Sequence, residues 1–422
     1  MGFEKIKGTY DVLPEESLLF YGLKKTIEKV FESFGYIFVE SSILQPEEIF
    51  KRTIGVESDI VKKEMFEVIS TSQKIVLKAE ETAPLIAGLS EKNILDSSVF
   101  TKFFYFTKIF RHERPQKGRL REFYQYGCES IGDFKSEMDG EVITIAKNIL
   151  MSFKVEYSLH LNNIGCEICR KPYLEILKNF LRNEKDNLCE DCKRRVETNP
   201  LRVFDCKNEK CKNVTSRGPK IIDNLCEDCK KDFEELKNYL TKNGIEFVVD
   251  SNIVRGLDYY EKNVFEFVET GGKLGSQSTL IGGGRYRYKK DEIFKKEIVG
   301  VGFAGGVERL LLSIPEEIKE KIIEENSIEV FIIHFGKDTY EKGLNVLKDL
   351  RKKGIRSEIS FNEGRISKLI GLASKKKAKY VLIFGEEEMS RGKVSLKNMK
   401  NGVQKEIPLN LEDLLNEIKN GE

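Results

Sequence analysis

Four arginines crowd one short stretch of this chain, Phe110-Arg111-His112-Glu113-Arg114-Pro115-Gln116-Lys117-Gly118-Arg119-Leu120-Arg121-Glu122-Phe123. Guanidinium forks match pairs of phosphate oxygens, so such a cluster suits a polyphosphate. The same composition also describes a solvated hairpin tip. Arg111 stands within a strand beside Phe110, and an arginine placed there usually has a fixed anionic partner. A second cluster, Arg255-Gly256-Leu257-Asp258-Tyr259-Tyr260, lies on a turn before the strand Val264–Val268. It fits a polar pocket and equally a buried structural network. A third stretch, Gly300-Val301-Gly302-Phe303-Ala304-Gly305, has the spacing of a dinucleotide fingerprint. That fingerprint needs a βαβ unit and a ribose-binding acid about 20 residues later. Here the upstream strands are antiparallel in character, and Glu320 and Glu324 fall in a charged helical stretch. Two readings remain: glycines that let a strand and helix pack closely, and a turn that presents Arg309 to a polyphosphate.

Cysteine supplies another chemistry. Cys166/Cys169, Cys189/Cys192 and Cys226/Cys229 have the C-x-x-C spacing of zinc knuckles, and Cys206/Cys211 form a looser pair. Eight thiols can hold two tetrahedral zinc ions, or stay reduced and pack a small helical domain. Cys128 stands alone. His160 and His334 sit in apolar strands and read as core residues. His112 reads as structural or loop-lining. Three histidines are too few for a histidine-based metal site.

The elements that must position these groups follow from periodicity. Residues 17–34 read as an amphipathic helix stopped by Gly35. Strand-like runs at 36–39, 74–77, 103–110 and 123–129 show little helical periodicity between them, which predicts a mostly antiparallel sheet. Residues 139–153 read as a helix. The segment 164–235 is cysteine-paired and charge-dense, with helices at 171–183 and 230–243. Strands resume at 245–249 and 264–269, with turns expected at Gly271-Gly272 and Gly282-Gly283-Gly284. Residues 298–312 pass from an apolar run into a helix. From 326 a βαβαβ alternation predicts a parallel sheet, ending in a hairpin around Asn401-Gly402.

The chain has 422 residues, 71 basic and 69 acidic, so no global positive field advertises nucleic acid. Residues 326–422 carry 19 basic against 14 acidic side chains, a local excess of five. No apolar run approaches the roughly 20 residues of a membrane span, and no secretory leader is legible, so the cytoplasm is the expected compartment.

Taken in order, these stretches resemble the histidyl-tRNA synthetases, a class II aminoacyl-tRNA synthetase family. The arginine loop is similar to that class's motif 2, and GVGFAGGVERLLL to its motif 3. RGLDYY with GGGRY resembles the pair specific to histidyl-tRNA synthetases. KGTYDVLP at 7–14, VESDIVKKEMF at 56–66 and LKAEETA at 77–83 resemble further stretches of that family. The resemblance implies an α+β fold: a six-stranded antiparallel sheet flanked by helices (1–163 and 236–325), a Cys-rich insertion (164–235) and an α/β anticodon-binding domain (326–422). It implies a homodimer that activates L-histidine with ATP and Mg²⁺ and charges tRNA(His). Arg111 would hold the α-phosphate, with Glu113, Arg119 and Arg309 completing the ATP site. Glu80, Thr82 and Gln125 would receive the ammonium group. Glu129 and Tyr260 would address the imidazole, with Tyr259 beside them. Arg255 would stabilise charge as the histidine carboxylate attacks. Arg114 and Gln116 match positions that meet the tRNA acceptor end, with its extra 5′ guanosine.

The pattern departs from the family at Ser42, where motif 1 has proline, at Lys78-Ala79 for Arg-Pro, and at Arg287 for Asp. Two other functions fit parts of the sequence. A histidine-sensing regulatory paralogue would tend to lack RGLDYY and the C-terminal module. A zinc-dependent RNA-binding protein leaves Arg111, Arg255 and Arg309 unexplained together.

Overall fold

A computed structural model describes residues 4–56, 58, 60–70, 73–95, 101–132, 135–204, 206–254, 257, 259–275 and 278–420. Arg255, Gly256 and Asp258 of the RGLDYY stretch, and Glu57 and Asp59 of the stretch at 56–66, lie outside the described residues. By internal contact the chain divides into two units, Met1–Asp11 with Lys24–Pro315, and Val12–Leu23 with Glu316–Glu422.

The first unit is built on an eight-stranded sheet. Its order is Ile37–Phe38, Thr101–Phe110, Glu122–Ile131, Ile298–Gly306, Thr279–Tyr288, Tyr260–Glu269, Tyr157–Asn163 and Val248–Val249. The six long strands pair antiparallel, and the two-residue strands add parallel edges. Side chains alternate across a strand, so neighbours in sequence serve opposite faces. Phe104 stacks on Phe31 of the helix Pro14–Ser33, with ring centroids 5.0 Å apart, whereas Tyr105 faces an open cleft. Gln125 faces the same cleft, and Tyr126 turns away to meet Phe303 edge-on.

Gly282-Gly283-Gly284 is no turn; it lies inside the strand Thr279–Tyr288. Crowding explains the glycines: a Cβ on Gly283 would come within 2.3 Å of the Gly302 carbonyl and 2.6 Å of the Phe265 ring. The region between the first strands is also more helical than expected, with helices Glu47–Ile54 and Thr82–Glu91. Eight of the ten residues of Thr82–Glu91 are buried, so it shows no polar stripe from which a 3.6-residue period could be read.

The glycines from 300 to 305 also lie within a strand, not in a phosphate-binding turn. A Cβ at Gly300 would strike Tyr286, at Gly302 the Glu129 carboxylate, and at Gly305 Tyr126. The glycines thus make room for side chains of the neighbouring strands rather than for a helix, and the strand they form leads into the helix Val307–Ser313 that carries Arg309 to the cleft.

The segment after Asn163 holds the helices Glu167–Asn183, Glu190–Thr198, Glu209–Arg217 and Glu227–Lys242. They share a small core in which Tyr173, Leu177, Leu181, Val196 and Val214 surround the cysteines. In the second unit the sheet order is Ser357–Ile359, Val330–His334, Tyr380–Phe384, Lys393–Asn398 and Gln404–Pro408. The first three strands are parallel and the last two antiparallel, as the βαβαβ run and hairpin predict. His334 is buried, with Nε2 2.8 Å from the Ser360 carbonyl. His160 departs from the core reading: it is half-exposed beside Asp250. Among the described residues no helix is long and apolar enough to cross a membrane.

Candidate active site

A cleft of about 450 Å³ opens on the cleft face of the eight-stranded sheet. Arg111, Arg119 and Arg309 line it together, brought from a strand end, a loop and the helix Val307–Ser313. Arg111 is fixed by Nε donating to the Ala79 carbonyl at 2.9 Å, with its guanidinium over the Phe123 ring. Arg119 donates to Glu113 at 2.7 Å. Arg309 donates from Nε to the Gly118 carbonyl at 2.9 Å and from Nη1 to the Thr279 carbonyl at 2.8 Å. Burial holds Arg309 down at about 10, with repulsion from Arg119 and Arg111 adding and attraction to Glu113 and Glu266 opposing. Three guanidiniums brought into one cleft form a site for an anion.

Beside them lies a pocket of carboxylates and tyrosines. Glu80 caps the helix Thr82–Glu91, accepting from the amides of Thr82 at 2.9 Å and Ala83 at 2.7 Å. The Tyr259 hydroxyl donates to Glu80 at 3.4 Å. Thr82 Oγ1 donates to Glu129 at 2.7 Å. Glu129 stands directly across from Gly302 in the sheet register and has the room that glycine leaves. Burial pushes Glu80 up to about 7, with Glu81 adding and the two amides and Arg111 opposing. Burial pushes Glu129 up to about 8, with Glu80 and Glu81 adding and Thr82 opposing. Tyr259 packs against Tyr260, Tyr286 and Tyr288 at centroid distances of 4.7, 5.9 and 5.3 Å. The Gln125 side-chain carbonyl is buried and has no hydrogen-bond partner among the described residues.

Of the residues singled out in the sequence, Glu80, Thr82, Arg111, Glu113, Arg119, Gln125, Tyr259, Tyr260 and Arg309 line one cleft. Glu129 sits behind Thr82. Arg114 and Gln116 lie on the loop but outside the lining set, Gln116 pairing with Arg119 through backbone bonds of 3.0 and 2.9 Å. His112 packs edge-on to Phe66. Sequence reasoning missed Arg202, which reaches the cleft from the cysteine-rich segment, and Tyr105 and Glu266. No residue pattern around Arg202 sets it apart from the other exposed-looking arginines of that segment. The role of the N-terminal stretch is now visible. Tyr10 donates to Glu308 at 2.6 Å, and the Gly8 carbonyl accepts from the Arg121 amide at 2.8 Å, so this stretch braces the arginine hairpin.

The departures are accommodated. Lys78 is fully buried but ion-paired with Glu81 at 2.6 Å, and it donates to Thr107 and the Ser41 carbonyl. Arg287 pairs with Glu261 and Glu297. Ser42 donates to the Leu44 carbonyl.

The family model described as histidyl-tRNA synthetase matches residues 8–170, and that of an anticodon-binding domain matches 329–421. The histidine–tRNA ligase of Caldanaerobacter subterraneus subsp. tengcongensis is 39% identical over 403 residues, covering 95% of this chain and 96% of its own. The chain belongs to the histidyl-tRNA synthetase family. The histidine–tRNA ligase of Clostridium perfringens is 37% identical over 422 residues, covering 99% of this chain and 100% of that one. The crystal structure of the apo S. aureus histidyl-tRNA synthetase superimposes with a TM-score of 0.75 at 27% identity, covering 99% of this chain and 100% of that one. This synthetase keeps the fold of that solved structure with Ser42, Lys78, Ala79 and Arg287 at these positions.

Proposed function

We propose that this synthetase joins L-histidine to ATP in the cleft on its eight-stranded sheet and hands the histidyl group to the 3′ end of tRNA(His). The observation that carries this reading is the meeting of three guanidiniums with a buried carboxylate-and-tyrosine pocket in one cleft. Arg111 holds the α-phosphate, and Arg119, Arg309 and Glu113 position the rest of ATP. Glu80, Thr82 and Gln125 receive the ammonium group, Gln125 with an acceptor that has no partner among the described residues. Glu129 and Tyr260 address the imidazole, and Tyr259 walls it. A site that hydrogen-bonds the imidazole rejects analogues lacking it by leaving buried groups unpaired.

The histidine carboxylate oxygen then bonds to the α-phosphorus as the bond to pyrophosphate breaks. Positioning and charge neutralisation do most of the work of such a displacement. Arg255 supplies a further positive charge to it. Mg²⁺ neutralises phosphate oxygens when bound, and Glu113 and Glu266 line the cleft as the oxygen donors this hard cation takes. A ribose hydroxyl of the tRNA next attacks the carbonyl carbon and AMP leaves. Arg114 and Gln116 meet the acceptor end.

We read three working parts: a catalytic core at 1–163 and 236–325, the insertion at 164–235, and an anticodon reader at 326–422. The eight insertion cysteines are read as zinc ligands. The chain works as a homodimer in the cytoplasm. Ile37 and Phe38, exposed on the edge strand of the eight-stranded sheet, and Ile43 and Leu44, exposed at the start of a separate three-stranded sheet, support a self-association surface. Histidine-dependent ATP–pyrophosphate exchange, with charging of tRNA(His), is the direct test. Exchange with no amino acid, or with another one, would overturn the reading. Raising salt from 50 to 200 mM should weaken charging at least tenfold more than exchange, because phosphate contacts release counterions.

The raised carboxyls set a pH dependence. A bound ammonium group favours ionised Glu80, and an imidazole N–H donor favours ionised Glu129; burial raises the two carboxyls to about 7 and 8. Histidine binding at pH 7 should therefore release protons, and affinity should rise from pH 6 to 8 once the free ligand's own titration is subtracted. Calorimetry in buffers of different ionisation enthalpy reads this directly. Stability without histidine runs the other way. Between the ordinary value of 4.5 and these raised values the folded chain holds protons that the unfolded chain has lost, so stability falls as pH rises through that window.

A further inference from the structure

The eight insertion cysteines fold into two quartets, Cys166/Cys169/Cys226/Cys229 and Cys189/Cys192/Cys206/Cys211, each with its four sulfurs within 4.8 Å of one another. In the first, Cys166 Sγ lies 3.7 Å from Cys169 and 3.8 Å from Cys226, and Cys169 lies 3.7 Å from Cys229. In the second, Cys189 and Cys206 are 3.8 Å apart. A disulfide would need about 2.05 Å. A tetrahedron of sulfurs with metal–sulfur bonds of 2.3 Å has edges of about 3.8 Å. The spacing is thus that of a single tetrahedral ion. An iron–sulfur cluster, which places its own sulfides between the metals, holds its cysteines farther apart.

The supporting shell is present too. Backbone amides point at the sulfurs: Cys166 N to Cys169 at 3.2 Å, Cys189 N to Cys211 at 3.3 Å, and Asn208 N to Cys206 at 3.5 Å. Such bonds stabilise thiolate and fix ligand orientation.

The first quartet has a second property. It joins the opening of the insertion to its close, and it is bonded to the strand that carries Tyr260. Arg170 follows Cys169 directly. Its Nη2 donates to the Tyr260 carbonyl at 2.7 Å and the Gly165 carbonyl at 3.2 Å, and its Nε to the Ile164 carbonyl at 3.3 Å. The Ile164 amide donates to the Lys262 carbonyl at 2.8 Å, and the Lys262 amide to the Gly165 carbonyl at 3.1 Å. Asn163 Nδ2 reaches both the Cys229 carbonyl at 3.3 Å and Asn263 at 2.9 Å. Lys262 holds a φ of +54°, uncommon for a residue with a side chain, so this strand entry needs support from outside itself.

We propose that each quartet binds one zinc ion, and that the ion at Cys166/Cys169/Cys226/Cys229 positions Tyr260 for histidine through Arg170. The second half rests on the reading of Tyr260 as an imidazole-facing residue; the first half does not. Arg170 is a positioning residue, since it touches the Tyr260 backbone and not the substrate.

The test uses the full chain purified without added metal or chelator. Elemental analysis should find about two equivalents of zinc, and absorption spectra should show no iron–thiolate bands. Cys226→Ser and Cys189→Ser should each fall to about one equivalent. Arg170→Gln should keep both ions and weaken histidine binding about tenfold by calorimetry, with ATP binding changed less than twofold; Arg170→Lys should recover part of the loss. Less than a fifth of an equivalent of zinc in an ordered chain, or iron in its place, overturns the metal sites. Two equivalents with unchanged histidine binding in Arg170→Gln overturns the positioning role. If the unaltered chain binds no histidine, the proposed activity and the positioning role fail together, and the zinc count still decides the sites.

Discussion

Replacing Arg111 by alanine should lower kcat for histidine-dependent pyrophosphate exchange by about two to three orders of magnitude. The guanidinium is held in advance by the Ala79 carbonyl and the Phe123 ring, so no reorganisation is needed when charge builds on the α-phosphate. Arg111→Lys keeps the charge but loses the fork, and it should recover only part of the rate. Arg255→Ala should act at the same step by a similar factor. If both serve the displacement more than ground-state binding, histidine KM should move far less than kcat. Near-normal exchange in either variant refutes its assignment. An unchanged circular-dichroism melt in the same variants shows that the loss is chemical.

Gly302→Ala should be nearly as damaging for a different reason. The new methyl would come within 2.1 Å of Glu129 Oε2 and 2.3 Å of the Cys128 carbonyl. A backbone oxygen in mid-sheet cannot step aside, so the cost lies at or beyond the ~1–3 kcal/mol of ordinary overpacking. Glu129 must leave Thr82, and histidine affinity should fall more than tenfold. Gly88→Ala is the paired control. Gly88 sits exposed in a helix with nothing within 4 Å of its missing Cβ, so alanine there should stabilise by about 1 kcal/mol. Equal histidine binding in the two variants would sink the claim that Gly302 makes room for Glu129.

The arginines and tyrosines of the cleft could be singled out from residue types alone, whereas Glu80, Thr82, Gln125 and Glu129 entered only through the resemblance to histidyl-tRNA synthetases. An arginine beside the aromatic residue that ends a strand carries its physical reason with it. What could not be read depended on contacts between distant strands. Glycines at 282–284 look like a turn until the neighbouring strands supply the crowding that demands them. Helices such as Thr82–Glu91 hide because burial all round removes the contrast that marks a helix. The C-x-x-C pairs are obvious, yet nothing local says that Cys166/Cys169 partners Cys226/Cys229 and leaves Cys189/Cys192 to Cys206/Cys211. Arg202 reaches the cleft by tertiary placement alone.

The closed base of the insertion also bears on how the sheet assembles. Asn163 and Asn263 are register partners in neighbouring strands, yet 100 residues separate them along the chain. Bringing such ends together is slow, because chain entropy is lost before any pairing compensates. A zinc ion shared by Cys166 and Cys226, as proposed for the first quartet, would shorten the loop to be closed to about 40 residues. The equilibrium gain is small, under about 1 kcal/mol. The kinetic consequence expected of such a tie is one of order: a helical module that closes on itself first would deliver two distant strands side by side, so that a detour of 100 residues becomes a local event in folding.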